Sequence, residues 1–134
     1  MLCFVGGTPA SAAPPALKHP QMPKNAPLSH QVVIADQLVM VINAAAAGQT
    51  PAQRVDAING RLIEIIASEP LLPRKMKLGT AKGQTVIMVG AHLLTEVTRA
   101  DARANQTTVP VLAHFWLANL KRALPEARPR TRTP

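Results

Sequence analysis

The side chains that could support metal or acid–base chemistry are few and widely spaced in this chain. No two of its four histidines stand three or four residues apart, the spacing that places two imidazoles on one face of a helix. Neither a cysteine pair nor an acidic cluster accompanies them, since Cys3 is the only cysteine. The sequence therefore predicts no metal site and no cofactor. The histidines are His19, His30, His92 and His114.

A hydrolytic site is the other chemistry to consider. Thr95, His92 and Asp101 supply a hydroxyl, a base and an acid, the set that nucleophilic catalysis needs. Asp101 also stands three residues after Thr98, where an acidic side chain can close the N-terminus of a helix without any active site. Because this capping role accounts for the acid, we expect no catalytic residue and no enzymatic activity. A hydrolase is the third alternative.

Basic charge is concentrated at the end of the chain. The formal net charge is +8, and half of it lies in the last fourteen residues. There Arg128, Arg130 and Arg132 could contact phosphates of nucleic acid or of lipid head groups. The middle of the chain is nearly balanced in charge, and its only aromatic residues are Phe115 and Trp116. A nucleic-acid partner is therefore not favoured.

Proline content and hydrophobic patterning divide the chain into four segments. Residues 1–12 resemble the end of an export signal, because a short apolar run precedes Ala10-Ser11-Ala12, which suits a signal peptidase site. Residues 13–30 predict a proline- and alanine-rich leader, and residues 125–134 a basic tail rich in proline and arginine. Residues 31–124 predict one α+β domain. We expect an exported, periplasmic protein, with the cytoplasm as the alternative.

Two hairpin-like stretches frame the predicted domain. Residues 32–42 and 86–97 both read as a short strand, a small polar turn and a longer strand, a faint internal similarity. Between them, Thr50, Pro51 and Gln53 form a capping box with proline at the first helical position. We therefore expect a helix from this point that ends before the prolines near residue 70.

The remaining strands and helices are predicted from the same hydrophobic patterns, turn residues and helix caps. Residues 75–79, 84–89 and 92–98 predict three strands with turns at 82–83 and 90–91, and a short helical segment follows Thr98. A last helix, capped by Thr107 or Thr108, ends at Pro125. The order ββ-α-βββ-α predicts a small antiparallel sheet with two amphipathic helices packed on one face.

Each long helix should bury one apolar stripe. The polar residues Arg54, Arg61 and Glu64 of the first helix are expected on the opposite, solvent side. The predicted apolar contacts are Val55, Ile58, Leu62, Leu112, Trp116 and Leu120.

The runs QRVDAINGRL at 53–62 and LTEVTRADARA at 94–104, followed by the helix that contains Trp116, resemble a known extracytoplasmic domain. It is the N-terminal domain that precedes the membrane part of small-conductance mechanosensitive ion channel proteins in cyanobacteria and some other bacteria. The resemblance covers residues 32–124. It implies a non-catalytic interaction or sensory module in which Arg54, Thr98, Asp101 and Trp116 form the structural motif.

The resemblance also implies a partner. Because no stretch of this sequence approaches the roughly twenty apolar residues that cross a bilayer, a channel role would require a longer product or a separate membrane partner. The expected partner is a membrane channel subunit or another envelope protein. The rival interpretation is a small basic cytosolic protein that binds nucleic acid or a protein partner through its arginine-rich tail.

Overall fold

The computed structural model describes residues 26–127 and confirms an α+β fold. The predicted order ββ-α-βββ-α is present, and the short helical segment expected after Thr98 forms a separate helix before the last one. In the described part of the chain, 3₁₀ turns lie at Leu28–His30, Pro73–Lys75 and Leu124–Ala127. The strands and helices are β1 (Gln31–Ile34), β2 (Gln37–Val41), α1 (Pro51–Ser68), β3 (Met76–Ala81), β4 (Gln84–Val89), β5 (His92–Val97), α2 (Arg99–Ala104) and α3 (Val109–Ala123).

Two of the predicted segments lie wholly or mostly outside the described residues. They are the export signal at 1–12 and the leader at 13–30, of which only residues 26–30 are described. The tail arginines Arg128, Arg130 and Arg132 also lie outside. Within residues 26–127, no helix combines the length and apolar character needed to span a membrane.

The strands form two antiparallel sheets, where the sequence predicted one. β1 pairs with β2, and a second sheet has the order β3-β4-β5. Both long helices pack against both sheets, since α3 contacts β2 and the strands of the second sheet, and α1 contacts β1 and β5. Both capping boxes are confirmed, Thr50 with Gln53 on α1 and Thr98 with Asp101 on α2.

Each hairpin turns through two residues, and the predicted turns at 82–83 and 90–91 are confirmed. Lys82, Gly83 and Gly90 have positive φ angles, as tight hairpin turns require. The first hairpin turns through Ala35 and Asp36 with φ angles of 50° and 65° and therefore makes this turn without glycine.

A β-bulge interrupts both the first and the last hairpin at the same position. The register skips Val39 in β2 and Leu94 in β5, each the third residue after its turn. An extra residue in a bulge lacks a partner in the ladder. A helix supplies that partner in each case: Asn119 Nδ2 donates to Val39 O at 3.1 Å, and Arg61 Nη1 donates to Leu94 O at 2.9 Å.

The hydrophobic core lies between the sheets and the two long helices. All six predicted apolar contacts of the helices are buried, and Trp116 is fully buried. One expectation for α1 is wrong: Arg54 does not face solvent but is only 5% exposed. Periodicity assigned it to the polar side, and its burial is possible because another side chain neutralises its charge.

Candidate functional site

The Arg54 guanidinium forms a buried, bidentate ion pair with the Asp101 carboxylate. The Thr50 capping box fixes the start of α1 and so places Arg54 in its first turn. Arg54 Nη1 lies 2.7 Å from Asp101 Oδ1, and Nη2 lies 3.0 Å from Oδ2. Asp101 is 1% exposed. The pair therefore locks α1 to the N-terminus of α2, which is 47 residues away in sequence.

Arg54 also holds two backbone carbonyls. Nη1 donates to Ala44 O at 2.8 Å, and Nη2 approaches Glu96 O at 3.4 Å. Each terminal nitrogen of Arg54 carries two N–H groups, and both nitrogens now have two acceptors. Arg54 thus joins α1, the connection after β2, the end of β5 and α2, and its terminal donors are occupied.

The Asp101 carboxylate is occupied in the same way. Besides Arg54, its Oδ2 accepts from the Thr98 backbone N–H at 3.0 Å and from the Thr98 hydroxyl at 2.9 Å. The Asp101 backbone N–H donates in return to Thr98 Oγ1 at 3.0 Å. The predicted capping role of Asp101 is therefore combined with charge neutralisation of a buried arginine.

The three residues of the hydrolytic alternative are not assembled into one site. His92 begins β5 and lies 2.8 Å from Glu69 Oε2 through its Nδ1, whereas Asp101 lies beyond the other end of β5. The Thr95 hydroxyl donates to Glu96 O at 3.1 Å. Within residues 26–127, no group of three or more His, Cys, Asp or Glu side chains could hold a metal ion.

The fourth residue of the predicted motif is placed elsewhere. Trp116 lies in the core on α3, and no hydrogen bond of the described residues joins it to Arg54, Thr98 or Asp101. Its indole N–H finds no hydrogen-bond partner among residues 26–127. The structure thus brings together three of the four motif residues and gives Trp116 a packing role.

A cleft of about 250 Å³ lies beside the Arg54–Asp101 pair. Two elements of the fold and two turns surround it: α1, β5, the turn between β3 and β4, and the tight turn at residues 46–49. That last turn is closed by two backbone hydrogen bonds between Ala46 and Gln49. The lining residues are Ala46, Ala47, Gln49, Arg54, Ile58, Arg61, Ala81, Lys82, Leu93, Thr95 and Glu96.

Arg61 and Lys82 give this cleft available positive charge. Arg61 makes one hydrogen bond in the described structure, to Leu94 O, so its other N–H groups are available to a ligand. Lys82 is exposed at the tip of its hairpin. Thr95, which is only 3% exposed, also lines the cleft, but its hydroxyl already donates to Glu96 O; Glu96 adds the single acidic side chain of the lining. The arrangement suits a small ligand that carries an oxyanion.

The sequence held one signal for this cleft that periodicity alone did not reveal. Arg61 follows Arg54 by seven residues, which is about two helical turns and places both side chains on one face of α1. That face meets the edge of β5. Nothing in the local sequence distinguishes Lys82 or Thr95, because their proximity depends on how the second sheet packs against α1.

A second polar cluster lies at the turn between β4 and β5. The Ala91 backbone N–H donates to Glu69 Oε2 at 3.2 Å, and the His92 imidazole lies beside the same oxygen. These hydrogen bonds, first that of Ala91 and then that of His92, lower the pKa of the Glu69 carboxyl, and Lys75 adds a smaller contribution. A β-carbon at Gly90 would displace this carboxylate, and the positive φ angle of 58° is one that glycine adopts at the lowest cost.

Residues 31–127, most of the chain, match the family described as Domain of unknown function (DUF8459). The chain belongs to this family. The DUF8459 match begins at the first residue of β1 and ends at the last residue of the final 3₁₀ turn, so it includes every element that builds the cleft. Comparison with curated proteins and with solved structures found no match to the chain.

Proposed function

We propose that this domain is a non-catalytic binding module that holds the phosphate or carboxylate group of a small molecule in the cleft between α1 and β5. The observation that carries the proposal is the Arg61 guanidinium, which shares the cleft with Lys82 and keeps N–H donors that no hydrogen bond among residues 26–127 uses. Guanidinium groups bind carboxylate and phosphate oxygens through two parallel hydrogen bonds.

The wall of the cleft is preorganised. Arg54 lines the cleft, but its terminal donors are taken by Asp101 and by the carbonyls of Ala44 and Glu96. It therefore positions the wall while Arg61 remains available for contact with a ligand. A volume of about 250 Å³ is below the 300 Å³ or so at which drug-sized pockets begin, which favours a small ligand.

The contacts of Asp101 and Glu69 support a non-catalytic role. Asp101 is bound by Arg54 and Thr98, and Glu69 is bound by Ala91 and lies beside His92. Each group thus has a structural function. Catalysis by either carboxylate would require it to give up these contacts.

The sequence resemblance extends this proposal to a sensory or interaction domain of the cell envelope, with a membrane channel subunit or another envelope protein as partner. Cell fractionation tests the setting: a chain cleaved between Ala12 and Ala13 in the periplasmic fraction would support it. Recovery of the uncut chain in the cytosol would contradict it. The rival nucleic-acid role is tested by deleting residues 128–134 and measuring salt-dependent binding to duplex and single-stranded DNA, where no change would reject it.

Isothermal titration calorimetry with inorganic phosphate and with acetate tests the binding role directly. The full chain should bind at least one of these anions, and Arg61→Gln and Lys82→Gln should each weaken binding, because each removes a charged donor of the cleft. Lys121→Gln, a neutralisation on the exposed surface of α3, is the matched control and should bind as the native chain does. Equal weakening by all three variants would indicate a non-specific charge effect and reject the cleft.

A further inference from the structure

The outer edge of β3 is an open strand edge. The Gly90 N–H donates to Lys75 O at 2.8 Å, which extends the β3–β4 ladder by a hydrogen-bonded pair beyond Met76. Hydrogen-bonded and non-hydrogen-bonded pairs alternate along an antiparallel ladder. Leu78 and Thr80 therefore direct their backbone N–H and C=O groups away from β4. Among residues 26–127, no hydrogen bond reaches these outward groups.

Backbone carbonyls of β5 and β2 that lie beside the helices accept hydrogen bonds from helix side chains. At β5, Arg61 binds Leu94 O and Arg54 approaches Glu96 O, and at β2, Asn119 binds Val39 O. α3 also contacts β3, but among residues 26–127 no helix side chain bonds the outward groups of Leu78 and Thr80. The register of β3 with β4 runs without a bulge from Met76 to Ala81, whereas both other hairpins carry one. A regular, unbulged edge of six residues is a suitable template for an added strand.

The charge along this edge selects the kind of partner. Residues 70–81, which include all of β3, contain three basic residues, at 74, 75 and 77, and no acidic residue. Lys75 lies near the Glu69 carboxylate, whereas Arg74 and Lys77 have no ion-pair partner among the described residues. Pairing with a second copy of this strand would bring like charges together, which is unfavourable. An acidic segment would bring opposite charges together.

From this edge and its charge we infer that β3 is a docking site for an extended, acidic segment of another protein, which adds as a fourth strand to the sheet. Main-chain hydrogen bonds to Leu78 and Thr80 supply affinity, and the lysine and arginine side chains supply selectivity for acidic residues. The inference is independent of the cleft, because it uses neither Arg61 nor the residues of α1.

The test uses the full chain and a capped hexapeptide of alternating glutamate and valine, followed by NMR and amide hydrogen exchange. The peptide should bind and slow the exchange of the Leu78 and Thr80 amides. Thr80→Pro should weaken binding about tenfold, because proline removes an outward N–H and leaves the bonds to β4 in place. A peptide of alternating lysine and valine should bind far more weakly.

A modified peptide and a sedimentation measurement test the inference further. If Thr80→Pro loses the native fluorescence of Trp116, the native chain is titrated instead with the acidic peptide N-methylated at alternate residues, which should not bind. Equal binding of the acidic and basic peptides, or binding without protection of the Leu78 and Thr80 amides, would overturn the inference. So would dimerisation of the chain through this edge, measured by sedimentation and abolished by Thr80→Pro, since the occupant would then be a second copy.

Discussion

Arg54 and Arg61 lie on the same face of α1 and bind alternate carbonyls of β5, Arg54 that of Glu96 and Arg61 that of Leu94. The two arginines differ in whether their other N–H groups are already hydrogen-bonded. Those of Arg54 are taken by Asp101 and Ala44, whereas Arg61 keeps donors that face the cleft. One arginine therefore stabilises the fold, and the other is available for binding.

Removal of the Arg54 charge should strongly destabilise the fold. Arg54→Met leaves the Asp101 carboxylate buried and unpaired, and the free energy of unfolding should fall by about 3–5 kcal/mol. Urea denaturation followed by the fluorescence of Trp116, the only tryptophan, measures it. The double variant Arg54→Met/Asp101→Asn should lose less than the single variant, because no unpaired charge remains and the asparagine oxygen can still accept from the Thr98 backbone N–H.

Arg61→Met is the matched control for this experiment. It removes an arginine from the same face of α1 but leaves no buried charge unpaired, and it should cost about 1 kcal/mol. Equal losses for Arg54→Met and Arg61→Met would contradict the structural role assigned to Arg54.

The bulge in β2 should depend on Asn119. Asn119→Leu leaves Val39 O without a donor in a buried setting, and the free energy of unfolding should fall by about 1–3 kcal/mol. Arg122, which donates to Asn119 Oδ1 at 2.6 Å, would also lose an acceptor. Arg122→Leu, measured by the same denaturation, separates the two effects and should cost less, because Arg122 is exposed. A larger loss for Arg122→Leu would argue against support of the bulge by Asn119.

The first hairpin should be stabilised by a better turn sequence. Ala35 and Asp36 both adopt positive φ angles, which asparagine and glycine tolerate at lower cost. Replacing the pair with Asn-Gly should raise the free energy of unfolding by about 0.5–1 kcal/mol. The midpoint of thermal or urea denaturation measures the gain. A lower midpoint in the variant would mean that the turn geometry is not as described.

The acid stability of the domain should depend on Glu69. Its carboxyl pKa lies below the ordinary value of 4.5 in the folded state, because Ala91 and His92 stabilise the charged form. The folded state therefore gains stability from Glu69 above about pH 4.5, and this gain is lost as the pH falls through the lowered pKa.

Glu69→Gln should reduce the loss of unfolding free energy at acidic pH, because glutamine does not ionise. Unfolding free energies measured from pH 7 down to about pH 3 in the native chain and the variant provide the comparison. If the two profiles stay parallel below pH 4.5, Glu69 makes no such contribution.

The features that could be predicted from the sequence are those with a local cause. Both capping boxes and the turns at 82–83 and 90–91 depend on neighbouring residues, and the structure confirms them. The burial of Arg54 could not be predicted in this way, because it requires Asp101, which is 47 residues away. The cleft also depends on the packing of α1 against β5. The separation of the strands into two sheets is equally a matter of how the helices pack.

Titration of isotope-labelled full chain with sodium phosphate at constant ionic strength, followed by two-dimensional NMR, tests the central claim most directly. Saturable shifts should concentrate on the backbone amides of Arg61, Lys82, Thr95 and the turn at 46–49, and Arg61→Gln should abolish them. Shifts centred on the basic surface at residues 74–77, or no saturable shift at any anion concentration tested, would contradict a binding site in the cleft.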